Sequence, residues 1–121
     1  MSLADYIKAH LCTPFKWGEH DCVLFAARWA LLATGTDHLA GVSPWRDARA
    51  AMRMVRRMGG MQALMDARLA RVHVNLARDG DIALYRRCLC IVSGAHLVGP
   101  NHHGLEFIKR TEAECAWSLH S

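Results

Sequence analysis

Apolar positions in the first 69 residues recur at helical spacing, and from Ala70 onward they fall into short alternating runs. "LADYIKAH" (3–10) reads as a short amphipathic helix closed by the turn "TPFKWG", because Pro14 cannot continue a helix and Gly18 permits tight geometry. Asp21 is a good N-cap residue, and "CVLFAARWALLATG" runs from it to Gly35, a C′ glycine. This helix is apolar almost all round, which predicts a central place in the core. After the turn-rich "GTDHLAGVSP", Ser43 and Pro44 resemble an N-cap followed by proline at the first helical position. The helix so predicted, "PWRDARAAMRMVRRM", stops at Gly59-Gly60 and carries an apolar stripe of Trp45, Ala48, Met52 and Val55. A short helix in "MQALMDARL" follows.

The second half reads as strands. "RVHVNLA" alternates, "DIALYR" follows a "DG" turn, and "CLCIVSG", "HLVG", "LEFIKR" and "CAWSL" are separated by glycine, proline or asparagine. Helices first and an antiparallel meander afterwards predict an α+β fold, with a central cysteine-bearing helix packed on a C-terminal sheet.

Composition narrows the class. The 121 residues suit a single domain, 1–121, and a 52% hydrophobic share is enough to build a core. The longest apolar run, Val23 to Ala33, is broken by Arg28 and too short to span a bilayer, so no membrane insertion is expected. The opening "MSLADYIKAH" lacks a basic segment followed by an apolar one, so no secretory leader is expected, and the chain reads as made in a cytoplasm. There, five cysteines, an odd number, are expected as reduced thiols rather than a disulfide framework. The net charge of +4 is modest. Arg46, Arg49, Arg53, Arg56 and Arg57 form one basic helix face, read as solvated or as a dock for an acidic protein or cell-wall polymer. No helix-turn-helix, zinc-finger or ribonucleoprotein motif is visible, so nucleic acid is not an expected partner.

Cys22 carries the chemistry in question. A thiolate is the reactive form of cysteine, and a helix N-terminus favours negative charge through its free N–H groups. Cys22 follows the N-cap directly, so it reads either as a nucleophile or as a small buried thiol. A metal is a third reading: His10 and Cys12, like His20 and Cys22, form H-x-C pairs, and Cys88 and Cys90 form C-x-C. Structural zinc sites space each pair by two to four residues, so neither a metal nor any other cofactor is expected. Among the aromatics, Trp17 is expected over the helix head, Phe25 and Trp29 between helix and sheet, and Trp117 on the last strand.

"FKWGEHDCVLFAARWALLATG" followed by "ARDGDIALY" resembles the NlpC-type cysteine peptidases of peptidoglycan, and most of all a short phage and prophage branch associated with tail assembly. The resemblance implies a papain-like fold, with Cys22 as nucleophile at the head of the central helix and Gly80-Asp81 opening the first core strand. It also implies a general-base histidine at the start of the next strand, where this chain has Cys88 in "CLCIVSG". His96, on the strand after, is the best replacement base, ahead of His20, His102 and His103. Two functions follow. One is a tail-delivered peptidase in which Cys22, relieved of its proton by His96, attacks a peptidoglycan peptide, with backbone N–H groups holding the oxyanion. The other is a catalytically degenerate assembly protein of the tail tip. Both imply tail-tip proteins as partners and the virion as location.

Overall fold

The computed structural model describes residues 1–120. Four helices, α1 (Leu3–His10), α2 (Cys22–Thr34), α3 (Ala48–Arg57) and α4 (Met61–Asp66), precede six strands. The strands are β1 (Ala70–Val72), β2 (Ile82–Tyr85), β3 (Cys88–Ser93), β4 (His96–Asn101), β5 (Gly104–Lys109) and β6 (Cys115–Ser118). They form one antiparallel sheet in the order β1-β6-β2-β3-β4-β5. The α+β arrangement expected from the pattern is therefore the observed one.

Helix α2 begins and ends where its capping residues place it. The Asp21 side chain accepts from the Leu24 N–H at 2.9 Å, and Gly35, at φ +77°, closes the last turn through its N–H to Leu31. Cys22, Val23, Phe25, Ala26, Trp29 and Ala30 are buried, whereas Leu31 and Leu32 are exposed, so only the first two-thirds of the helix is central. The Tyr6 hydroxyl of α1 donates to the Phe25 carbonyl at 2.7 Å, satisfying the one polar atom of an otherwise buried ring. Trp29 donates its Nε1–H to the Gly80 carbonyl at 2.8 Å, fixing α2 to the segment that opens β2.

The alternating strand residues divide the core into two layers. Ile82, Leu84, Leu89, Ile91, Val98, Cys115 and Trp117 pack with the helices. Ala83, Cys90, Val92, Leu97 and Ala116 build a smaller layer on the other side, beneath Ala77 and the turn around Val74. Asp81, almost fully buried, holds the entry to β2 by accepting from the N–H groups of Arg78 (2.8 Å) and Leu119 (3.0 Å).

The fold departs from the sequence reading in three places. Helix α3 starts at Ala48 with Asp47 as its cap, not at Pro44, because Trp45 is pulled aside into a buried contact described below. Its buried stripe is accordingly Ala51 and Met54, and Met52 faces solvent. "RVHVNLA" is a three-residue strand followed by a 3₁₀ turn at Val74–Leu76, since only Ala70–Val72 finds a partner. The meander covers only β2 to β5: the chain then returns through a second 3₁₀ turn, and β6 enters between β1 and β2. Cys115, Ala116 and Trp117 are all buried, as a strand paired on both sides and covered on both faces requires.

The β2–β3 hairpin turns on Arg86 (φ +45°) and Arg87 (φ +65°), a left-handed pair for which Asn-Gly is the favoured sequence. The turn is held by the Arg86 N–H, which donates to the Glu114 carboxylate at 2.6 Å, and by the Arg86 guanidinium over the Tyr85 ring. Left-handed backbone costs a non-glycine residue roughly 1–2 kcal/mol. Replacing Arg86-Arg87 by Asn-Gly is therefore expected to raise unfolding free energy by about 1 kcal/mol in urea titrations, after loss of the cation–π contact and the added chain entropy of glycine.

Candidate functional site

The segment "WGEHDC" is a closed turn ending in a helix. Lys16 and His20 exchange backbone hydrogen bonds (3.0 and 2.7 Å), which brings Gly18 back over Asp21. The fully buried Asp21 carboxylate then accepts three hydrogen bonds, from the Gly18 N–H (2.9 Å), the Leu24 N–H (2.9 Å) and the Trp45 Nε1–H (2.7 Å). Gly18 adopts φ +77°, and a β-carbon there would lie 2.5 Å from the Trp45 carbonyl oxygen, so glycine is required on both counts. Trp17 does not cover the helix head as expected: it is 40% exposed and packs edge-on against Phe15.

Cys22 is 5% exposed and faces the start of β3, where its thiol and the thiol of Cys88 share one cleft. The two cysteines line a cleft of about 240 Å³ with Tyr85, Arg86, Pro100 and Glu106. Cys88 is exposed, and Cys90, two residues further on, is buried in the second layer.

Charge is divided unequally between the two thiols. Interaction with the Cys88 thiol, together with burial, raises the Cys22 pKa well above the ordinary thiol value. The same interaction lowers Cys88 to about 7, against opposing contributions from partial burial and Glu106. The helix terminus does not reverse this order, because the Asp21 carboxylate already occupies it and repels a second negative charge at Cys22. The thiol that ionises readily is therefore Cys88, and sequence reasoning passed over it as a lost histidine. Burial pushes Cys90 up to about 12.

The structure does not bring His96 to Cys22. His96 pairs with Ser93 at the far end of β3, five residues from Cys88, or about 16 Å at strand rise. It packs edge-on to Phe107 instead. Continuing the register that pairs Ile91 with Val98 sets Asn101, not His96, across from Cys88. The Asn101 side chain is engaged with Glu106 (3.1 Å) and the His102 N–H (2.7 Å). His102 and His103 are exposed in the β4–β5 turn. His20 stacks on His10 (centroids 5.2 Å apart) and meets Phe25 edge-on, so it is not part of the cleft. Burial and neighbouring positive charge lower the pKa of both rings. Among the described residues, no group of three or more His, Cys, Asp or Glu side chains is placed to hold a metal ion, and no helix is long and apolar enough to cross a membrane.

A helix-head cysteine and a strand-head cysteine lining one cleft of an α+β domain define this site as a thiol pair. The chain belongs to the family described as a domain of unknown function (DUF6950), whose profile matches residues 1–119. Neither the curated proteins nor the solved structures contain a match to it.

Two measurements check this site. Alkylation of Cys88 by iodoacetamide is expected to reach half its plateau rate near pH 7. In Cys22→Ala the midpoint should move upward toward an ordinary thiol, because the thiol that stabilises the Cys88 thiolate is gone. Asp21→Ala should cost about 3 kcal/mol of unfolding free energy, since it removes a cap and strands two further donors.

Proposed function

We propose that the chain is a phage or prophage tail protein with a papain-like, NlpC-type fold, retained as an assembly module of the tail tip after loss of peptidase chemistry. The observation that carries this reading is the partner of Cys22: a thiol stands where a peptidase needs an imidazole. Peptide hydrolysis requires a base that removes the nucleophile's proton near neutral pH, and here the proton is held on Cys22 by burial and by Cys88. The papain-like assignment draws on the order of parts: a cysteine at the head of the central helix, Gly80-Asp81 at the first core strand, and the next strand beginning against that cysteine. The tail context draws on the resemblance of "WGEHDC" and "ARDGDIALY" to the phage branch of those proteins. The exposed Arg49, Arg53, Arg56 and Arg57 of α3, with Arg46 just before the helix, make no ion pair among the described residues and suit an acidic tail-tip partner.

The open cleft over Cys22 favours a second reading, in which a peptidoglycan peptide enters and Cys22 attacks it with Cys88 as proton acceptor. The two readings separate on one pair of experiments. Purified protein incubated with peptidoglycan sacculi is expected to release no soluble peptide fragments. Deletion of the gene from its phage should leave defective tails that Cys22→Ala restores fully. Fragment release that disappears in Cys22→Ala would establish the peptidase instead.

A further inference from the structure

Cys22 and Cys88 come from opposite halves of the chain, 22 at the start of α2 and 88 at the start of β3, yet both line one cleft of about 240 Å³. Cys115, buried on β6, and Cys12, exposed beyond α1, lie outside the cleft. Cys90 also lines it, but is only 2% exposed and packs into the second core layer. The pair is also asymmetric, with one exposed member and one at 5% exposure directly behind it. That is the arrangement thiol–disulfide exchange needs: an accessible attacking thiol and a resolving thiol in reach of the sulfur it must attack.

From this geometry we infer that Cys22 and Cys88 form a reversible dithiol–disulfide couple, in which Cys88 reacts with a low-molecular-weight disulfide and Cys22 resolves the product. The Cys88 thiolate attacks one sulfur of R–S–S–R, a new S–S bond forms to Cys88, and one RS⁻ leaves. Cys22 then gives up its proton and attacks the Cys88 sulfur. The Cys22–Cys88 bond forms and the second RS⁻ leaves. The two cysteine protons end on the two released thiolates. The cysteines lose two electrons, and the disulfide gains them as two RSH. With its pKa near 7, Cys88 is about half ionised at neutral pH, where an attacking thiol is most effective. Closing the two sulfurs to the roughly 2 Å of a disulfide draws the head of β3 toward α2.

Arg86 and Glu106, of opposite charge, both line the cleft. The exposed thiol reacts first and the buried one second, because only Cys88 is open to solvent. The inference stands apart from the tail reading and from peptidase chemistry. Oxidation would occupy both sulfurs and close the cleft to any other reagent.

The test uses the full chain in a Cys12→Ser background, equilibrated in a series of oxidised and reduced glutathione mixtures, acid-quenched and peptide-mapped by mass spectrometry. The expected result is a transient glutathione adduct on Cys88 that gives way to a Cys22–Cys88 cross-linked peptide, reversed by excess reduced glutathione. In Cys22→Ser the adduct on Cys88 should persist. In Cys88→Ser, adduct formation on Cys22 should be at least tenfold slower than on Cys88 in the parent. A stable Cys88 adduct in the chain with both cysteines, a Cys88–Cys90 cross-link in its place, or modification of Cys22 at the parent rate without Cys88 would each overturn the inference. The parent map decides the outcome without relying on the folding of any variant.

Discussion

The Asp21 carboxylate is the contact on which the active end of the molecule depends. One buried side chain ends the Lys16–His20 turn, starts α2 and anchors the distant Trp45, so three segments are oriented by two oxygen atoms. A buried carboxylate is tolerated only when its acceptors are filled, and here backbone and indole donors fill them. Its position has two further effects. It diverts residues 44–46 from helix, which delays α3 to Ala48, and it places negative charge at the helix terminus, adding a little to the hold that Cys88 and burial have on the Cys22 proton.

A second carboxylate plays the corresponding part at the sheet. Asp81 ties the Arg78 turn to the chain after β6, and Trp29 reaches from α2 to the neighbouring Gly80 carbonyl. The "DC" and "GD" dipeptides are thus both places where a buried acid organises backbone N–H groups, and Trp29 links the two. Helix and sheet are held in register by polar contacts at their ends and by apolar layers between.

Local chemistry made much of this legible in the sequence. Capping residues marked both ends of α2, and glycine, asparagine and the alternation of side chains marked five of the six strands within a few residues. What the sequence did not disclose depended on contacts at long range. Trp45 looked like part of a helical stripe because nothing nearby announces its hydrogen bond to Asp21, 24 positions away. His96 looked close to Cys22 because strand order alone does not fix register: the turn at Gly94 sets it opposite Ser93, at the wrong end of β3. Cys88 looked like a deficit, the absence of a histidine, until the fold placed a second thiol against it. Its signal in the sequence was the family-like position itself, occupied by a residue with chemistry of its own.

The insertion of β6 between β1 and β2 has a consequence for how the chain reaches this structure. Until Cys115–Ser118 has been synthesised, β1 has no neighbour and β2 presents an unpaired edge, although the β2–β5 meander can already form. Ala70 must wait for Ser118, a contact of long sequence separation and therefore slow to close. Trp117, the largest fully buried side chain, arrives with that strand and fills the space between sheet and helices. The strand that joins β1 to the rest is therefore the last of the six to leave the ribosome, and during that interval β2 is an open edge that another strand could occupy.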